Sequence, residues 1–221
     1  MLGWGAMDIT FLGHSSFKLK GRLGSVVTDP FDPAMTGLKF SPVEADIVTV
    51  SHDHSDHNQA SQVSGVKKVI AGPGEYEIMG ISIIGFPSYH DEKGGSLRGK
   101  NTIYIYEMDG LRLAHLGDLG HKLSEEVVED IGRIDILMVP VGGEFTIGPV
   151  EAATLTQAIE PSIVIPMHYQ TPGLKSETFS KLGSVEPFLK EVGLKVETLP
   201  KLSIKKEELG EDQKDVVLEK K

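Results

Sequence analysis

Short apolar runs dominate the first half of the chain and predict β-strands. The run at 45–50 (ADIVTV) is almost continuous and β-branched, which favours a strand buried on both faces. A glycine-containing turn at 21–24 separates two of the earlier runs, as in an antiparallel meander. The strands predicted in this half are 8–12, 16–20, 25–28, 45–50, 66–70 and 81–86.

Helical segments alternate with strands in the second half. Asp109-Gly110 is a hairpin signal between the runs at 101–107 and 111–115. Ser124 is a suitable N-cap for a first helix, and Pro149 fits the first turn of a second. The predicted helices are 124–131, 149–159 and 184–192, and two further buried strands are expected at 134–139 and 162–166.

The length and composition favour one domain followed by a short tail. A chain of 221 residues that is 39% hydrophobic can bury a substantial core. We expect one domain over 1–204. Residues 205–221 (KKEELGEDQKDVVLEKK) carry mixed charge and few apolar groups, so a solvated, mobile tail is predicted there. The glycine-rich polar stretch at 92–100 is predicted to be a mobile loop.

The densest chemistry lies in SHDHSDHN at 51–58, directly after the strand at 45–50. Three of the chain's eight histidines and two aspartates fall between His52 and His57. His52 and His54 point the same way in extended chain and can bind one ion. Asp56 and His57 come next and can reach a second ion. Imidazole and carboxylate ligands suit Zn²⁺, Mn²⁺ or Fe²⁺.

Polar groups also follow four other predicted strands. They are Asp29, His90, Asp118 and His168. Strand ends that meet at one rim of a sheet bring such side chains together, and sites are commonly built on the loops of a rigid scaffold. Together with the 52–57 cluster, they predict a metal centre.

Composition narrows the classes of function. The chain has no cysteine, so disulfides and thiolate chemistry are excluded. A formal charge of −10 disfavours nucleic acid and anionic membranes as partners. No run of 18 apolar residues occurs, and the start, MLGWGAMDITF, lacks the features of a signal peptide. We therefore expect a cytoplasmic protein with a small-molecule substrate and no membrane partner, and leave a homo-oligomer open.

The motif His52-x-His54-x-Asp56-His57 after an apolar strand resembles the signature of the metallo-β-lactamase superfamily. Thr28-Asp29-Pro30, Gly117-Asp118 and Pro166-Met167-His168 follow in the expected order, and the resemblance covers about residues 7–200. The segments at 12–16 (LGHSS) and 72–77 (GPGEYE) are similar to a compact branch. That branch includes L-ascorbate-6-phosphate lactonase-like proteins and uncharacterised metal-dependent hydrolases.

The resemblance implies a fold and a set of metal ligands. The fold would be α/β, a four-layer αββα sandwich with two mixed sheets and the helices outside. Two divalent ions, most simply Zn²⁺ with Mn²⁺ or Fe²⁺ as alternatives, would lie at one edge. One would bind His52, His54 and His90, and the other Asp56, His57 and His168. Asp118 would bridge the two ions, and Asp29 would stand behind the ligands as an anchor.

Four further residues stay open as site candidates. His14 follows a strand and either faces the site or is hydrogen-bonded in a turn. His115 precedes Asp118 on a strand, as a core histidine or one behind the ligands. His121 belongs to the site rim or the ordinary surface, and Tyr169 reaches a substrate or packs in the core.

The expected activity is that of a dinuclear metal-dependent hydrolase. A metal-bridging hydroxide would cleave an ester, lactone or phosphoester bond in a small substrate. Asp56, or alternatively Asp118, would pass a proton to the leaving group. The alternatives are a phosphodiesterase or nuclease, and a non-catalytic metal-binding protein on the same fold.

Overall fold

The structure, a computed structural model, describes residues 5–221. The strands are β1 (Met7–Gly13), β2 (Ser16–Lys20), β3 (Ser25–Thr28), β4 (Val43–Glu44), β5 (Ile47–Val50), β6 (Val63–Ser64), β7 (Lys68–Ala71), β8 (Gly74–Ile78), β9 (Ile81–Tyr89), β10 (Lys100–Met108), β11 (Leu111–His115), β12 (Ile136–Pro140), β13 (Ile163–Met167), β14 (Lys195–Leu199), β15 (Leu202–Ile204) and β16 (Lys214–Leu218). The helices are α1 (Pro33–Thr36), α2 (Glu125–Ile131), α3 (Pro149–Ile159), α4 (Ser176–Phe179) and α5 (Glu186–Val192), with single 3₁₀ turns at Ala60–Gln62 and Lys206–Glu208.

Two mixed sheets form the centre of the fold. The first has the strand order β15-β1-β2-β3-β5-β7, and the second has the order β14-β16-β13-β12-β11-β10-β9-β8. Apolar side chains from both sheets, among them Phe17, Tyr104 and Met138, pack into one buried cluster. The sheets therefore face each other across a shared core.

Helices and loops cover the outer faces of both sheets. Leu137 and Val164 of the larger sheet share a buried cluster with Ile159 of α3 and Phe188 of α5. On the smaller sheet, Val27 and Val48 pack with Phe179 of α4 and with loop residues such as Phe31. The four layers agree with the predicted αββα sandwich.

Strand direction brings several strand ends to one edge. In the first sheet, β1 and β3 are each antiparallel to β2, and β3 is parallel to β5. In the second, β9 and β11 are each antiparallel to β10, and β11, β12 and β13 are parallel. The residues that follow β1, β3 and β5 therefore lie at one edge of the first sheet, and those that follow β9, β11 and β13 at one edge of the second. Side chains from these two edges lie within 4.8 Å of one another, so the edges form one rim of the sandwich.

The three predicted helices and the Asp109-Gly110 turn are present. The helix predicted at 149–159 has those bounds, and the Ser124 side chain caps α2 by accepting from Val127 N. Asp109 and Gly110 both have positive φ, 48° and 76°, as a two-residue hairpin turn with matching twist requires.

The prediction of a solvated tail at 205–221 is wrong. Strand β16 lies inside the larger sheet, parallel to both β13 and β14. Val216 and Leu218 enter the core between the sheets, and Asp215 is buried as well. The apolar part of β16 is only Val216, Val217 and Leu218, and charged residues flank it, so the composition of the segment concealed a strand that pairs with two neighbours.

The sequence predicted neither a signal peptide nor a membrane-spanning segment. The prediction about the signal peptide concerns the start of the chain, of which residues 1–4 lie outside the described residues. Over residues 5–221, no helix combines the length and the apolar character needed to cross a membrane.

Candidate metal centre

Two groups of possible ligand atoms lie side by side at this rim. His52, His54 and His90 form one group, in which the ligand atoms lie within 4.8 Å of one another. His14, Asp56, His57 and His168 form a second group under the same limit. The histidines of SHDHSDHN thus divide between the groups, with His52 and His54 in one and His57 in the other.

A single oxygen of Asp118 lies between the two groups. Its Oδ2 is 3.2 Å from His90 Nε2 and 3.8 Å from His52 Nε2 in the first group. The same atom is 3.3 Å from His57 Nε2 and 3.2 Å from His168 Nε2 in the second. The carboxylate therefore stands where a group shared by two ions would stand.

Several site residues adopt backbone conformations that few non-glycine residues use. His14, Asp29 and His168 have φ values of 57°, 40° and 51°, in the left-handed region. Each follows the end of a strand, so the turn out of the sheet is made by the functional residue itself. Such strain concentrates at functional sites because the surrounding structure holds it in place.

Asp29 orients both ligand groups from behind. Its carboxylate accepts hydrogen bonds from Ser51 N (2.7 Å), Ser51 Oγ and His57 Nδ1 (2.9 Å). Ser51 Oγ also lies 2.9 Å from His52 Nδ1. Because the Nδ1 atoms are engaged here, the Nε2 atoms of His52 and His57 face the centre. These hydrogen bonds are consistent with the anchoring role predicted for Asp29.

Glycine and asparagine position Asp118. Gly117 has φ 56°, and a Cβ there would collide with Asn101 Oδ1 and with Ser51. Asn101 accepts from Asp118 N (3.0 Å), and its Nδ2 donates to Ser88 Oγ (2.8 Å) and Leu116 O (2.9 Å). The loop after β11 is thereby fixed to β9 and β10.

His14 lies within the second group of possible ligand atoms and contacts two of its other members. Its Nε2 lies 3.2 Å from Asp56 Oδ2, and its ring centroid is 4.3 Å from that of His168. Burial, and next the neighbouring His168, lower the pKa of His14 to about 4. A neutral His14 can therefore donate its Nε2–H to the Asp56 carboxylate.

Burial and neighbouring charges together set the pKa values, and so the charges, of the residues in the centre. Burial would raise the pKa of Asp118, but His168 and His57 lower it well below its usual range. Burial would lower the pKa of His57, but Asp118 and Asp56 raise it well above its usual value. For His52, burial lowers the pKa to about 3, which leaves a neutral imidazole suited to bind a cation.

Polar atoms without partners support the metal interpretation. His52 Nε2, His57 Nε2, Asp118 Oδ1 and both ring nitrogens of His168 are buried without a hydrogen-bond partner among the described residues. Buried polar groups are normally satisfied, so this many together needs an explanation. Bound divalent cations would satisfy them, and the His/Asp donor set fits such ions.

A cavity of about 440 Å³ opens onto both groups. His54, Asp56, His90, Asp118 and His168 border it, together with side chains outside the ligand groups that include Arg98, Phe145 and Phe179. Asp53 and Ser55, which alternate with the ligand candidates in the sequence, also border this cavity. A volume of this size accommodates a small organic molecule.

Three of the open candidates lie away from this cavity. His115 Nε2 donates to Ser15 O (2.8 Å), and its Nδ1 accepts from Gly117 N (3.2 Å), so it joins two site loops. His121 Nδ1 donates to Lys122 O, and its Nε2 accepts from Tyr89 N. Tyr169 is buried in the core beneath the helices, where burial, and next Glu186, raise its pKa to about 12.

Sequence reasoning missed Ser51, Asn101, Arg98 and Phe145 as parts of the site. Ser51 was visible inside SHDHSDHN, where a hydroxyl before a ligand histidine is a weak signal. Asn101 opens an apolar strand, and a polar amide there gives a second weak signal. Arg98 and Phe145 lie in loops, and their position depends on loop conformation that no local pattern encodes.

The fold and the site define a member of the β-lactamase superfamily. A model of the beta-lactamase superfamily domain matches residues 8–168, which include every ligand candidate named above. Within that superfamily, the chain belongs to the UPF0173 metal-dependent hydrolase family, as its relatives show.

The relatives match over most of their length. The UPF0173 metal-dependent hydrolase of Thermococcus onnurineus is 30% identical over 222 residues, which cover 87% of this chain and 95% of that protein. Its counterpart in Methanoculleus marisnigri is 33% identical over 188 residues, which cover 75% of this chain and 82% of that protein.

Among solved structures, a candidate Zn-dependent hydrolase of the metallo-β-lactamase superfamily from Thermotoga maritima is similar throughout. It is 38% identical with a TM-score of 0.81, and the match covers 97% of this chain and 100% of that one. The predicted superfamily and sandwich fold are confirmed.

Proposed function

We propose that this protein is a dinuclear metal-dependent hydrolase that cleaves an ester, lactone or phosphoester bond in a small substrate. The observation that carries the proposal is the position of Asp118 Oδ2, within 3.8 Å of four imidazole Nε2 atoms from two ligand groups. The names of the relatives support a metal-dependent hydrolase.

The proposed ligand sets follow the two groups, except that we assign His14 to hold Asp56 through a 3.2 Å hydrogen bond and not to bind an ion. His52, His54 and His90 would hold one ion, and Asp56, His57 and His168 the other, with Asp118 shared between them. Two divalent ions bound there, Zn²⁺ in the first instance, would supply Lewis acidity and water activation near neutral pH.

The chain's own residues prepare the site for hydrolysis. Asp29 holds His57 through its Nδ1 atom, and Ser51 contacts His52 in the same way. Asp56 borders the cavity and accepts from His14, so its carboxylate is oriented toward the space that a substrate would enter. We assign to Asp56 the transfer of a proton to the leaving group.

Turnover of a defined substrate panel tests the proposal. The Zn²⁺-loaded protein is assayed against 4-nitrophenyl acetate, γ-butyrolactone, 4-nitrophenyl phosphate and bis-4-nitrophenyl phosphate. Asp56→Ala removes both a proposed ligand and the proposed proton-transfer group, so turnover should fall by at least about 10²-fold. The metal content of the variant is measured as well, because a loss of turnover at unchanged metal content is what the proton-transfer role predicts. Asp130→Ala, a matched change on the exposed side of α2, serves as control.

The outcomes separate the candidate functions. The proposal is supported if the protein hydrolyses the ester, the lactone or the phosphate monoester, and if Asp130→Ala keeps this activity while Asp56→Ala loses it. Turnover of bis-4-nitrophenyl phosphate alone would make the protein a phosphodiesterase. A metal-loaded, folded protein with no turnover of any substrate would favour a non-catalytic metal-binding protein.

A further inference from the structure

One basic side chain borders the cavity that opens onto the candidate metal centre. Among the described residues that line this cavity, Arg98 is the one with a permanent positive charge. Arg98 also borders two neighbouring cavities of about 740 and 330 Å³. It therefore lies where these three cavities adjoin, beside the one that opens onto the candidate metal centre.

The loop that carries Arg98 is fastened by one buried carboxylate. Asp91 accepts four backbone N–H bonds, from Lys93 (2.8 Å), Gly95 (3.1 Å), Leu97 (3.0 Å) and Arg98 (2.8 Å). Asp91 directly follows the ligand candidate His90. The position of the Arg98 backbone is thus tied to the centre itself.

The Phe145 ring packs against the Arg98 side chain at the border of the cavity. The Arg98 guanidinium carbon lies 5.6 Å from the centroid of the Phe145 ring, within the range of a cation–π contact. The Phe145 ring in turn lies 6.4 Å from that of His168 and 6.2 Å from that of Phe179. A chain of ring contacts therefore joins Arg98 to the second ligand group.

The guanidinium has unused hydrogen-bonding capacity. Within residues 5–221, no carboxylate forms an ion pair with Arg98 and none of its side-chain nitrogens donates a hydrogen bond, although the chain has 32 acidic residues. A planar guanidinium with free donors binds carboxylate or phosphate oxygens in pairs. The cation–π contact leaves the edge of that plane free for such a ligand.

We infer that Arg98 is a substrate-positioning residue that binds an anionic group, a carboxylate or a phosphate, on the part of the substrate distant from the scissile bond. This inference rests on the proposed function, because it specifies the substrate class of the same site. The anion would anchor one end of the substrate at the cavity rim while the other end reaches the ligand groups.

Equilibrium binding tests Arg98 without requiring turnover. Metal-loaded protein is titrated calorimetrically with butyrate, glutarate and 4-phosphonobutyrate, which share one carboxylate and end in a methyl group, a second carboxylate and a phosphonate. Wild type should bind at least one doubly anionic ligand about tenfold or more tightly than butyrate, as expected for a charge-assisted pair. Whether glutarate or 4-phosphonobutyrate binds more tightly shows whether the anionic group is a carboxylate or a phosphate.

Three variants isolate the guanidinium. Arg98→Met should abolish the preference, and Arg98→Lys should restore part of it, because lysine keeps the charge and loses the paired donors. Arg22→Met is the control, since Arg22 is exposed in the turn before β3, at the end of that strand opposite Asp29. Thermal unfolding checks that each variant is folded.

The result separates this inference from the proposed function. If wild type shows no preference for a second anion, or if Arg98→Met keeps it, the inference is overturned. If the preference depends on Arg98 but no ester, lactone or phosphoester is hydrolysed, the anion site stands and the proposed function fails. Matching 4-nitrophenyl esters of butyrate and glutarate should show the same dependence in KM, with kcat changed little.

Discussion

Asp29 shows how one residue can organise a site that it does not enter. Its carboxylate is fully buried and accepts from Ser51 and from His57 Nδ1. Burial would raise its pKa, but the hydrogen bond from His57 lowers it, so Asp29 is an anion at neutral pH. A charged acceptor behind an imidazole fixes the ring and makes the opposite nitrogen a better ligand.

Replacing this carboxylate with an amide should weaken metal binding. Asn accepts the left-handed backbone that Asp29 uses at φ 40°, so Asp29→Asn keeps the turn while it removes the charge. We expect a loss of about 10- to 100-fold in Zn²⁺ affinity, measured by competition with a chromophoric chelator.

Asp130→Asn on α2 is the control for this change and should bind Zn²⁺ as the wild type does. An unchanged affinity in Asp29→Asn, with both variants folded, would show that the hydrogen bonds to Ser51 and His57 hold the loop without influencing the metal.

At the scale of elements, β16 carries an unusual buried acid. Asp215 lies in register with Val164 of β13 and Val196 of β14, and both of its carboxylate oxygens lack a partner among the described residues. Burial raises its pKa to about 7. Lys214 and Lys195 instead pair with Glu197, and within residues 5–221 no basic side chain forms an ion pair with Asp215.

This acid should make stability depend on pH. The folded state holds the proton up to about pH 7, whereas the unfolded chain releases it near the ordinary value of 3.8. The free energy of unfolding therefore falls as pH rises from 3.8 to about 7, and above about pH 7 this contribution no longer changes. The full difference is on the order of a few kcal/mol, at 1.36 kcal/mol per pKa unit.

Asp215→Asn isolates this contribution, because an amide cannot ionise. Relative to wild type, the free energy of unfolding of the variant should increase between pH 5 and pH 8, measured by urea denaturation at each pH. The control is Asp212→Asn, at an exposed position of the preceding loop. A difference between Asp215→Asn and wild type that stays constant over this range would contradict the assignment.

For the whole molecule, apolar periodicity predicted most of the sandwich. Runs such as the one at 45–50 are continuous because their strands are covered on both faces, and β5 is buried at all four positions. The ligand candidates were visible for a related reason. Polar residues follow abruptly where a buried strand ends, so His168, directly after β13, and Asp118, three residues past the end of β11, stand out in the sequence.

The parts that escaped prediction depend on contacts distant in sequence. Strand β16 pairs with β13 on one side and with β14 on the other. Its short, charged sequence does not indicate these distant partners. The sequence predicts a mobile loop at 92–100, whereas the Asp91 carboxylate accepts hydrogen bonds from four backbone N–H groups of that loop. Arg98 and Phe145 lie in different loops of the chain and contact each other at the border of the cavity.

The sharing of Asp118 between two ions is the central claim, and anomalous X-ray diffraction at the zinc edge from crystals of the Zn²⁺-loaded protein tests it most directly. We predict two peaks per chain, one beside His52, His54 and His90 and one beside Asp56, His57 and His168. Both should lie about 2.0–2.2 Å from Asp118 oxygens. A single peak, or two peaks of which only one contacts Asp118, would contradict this account.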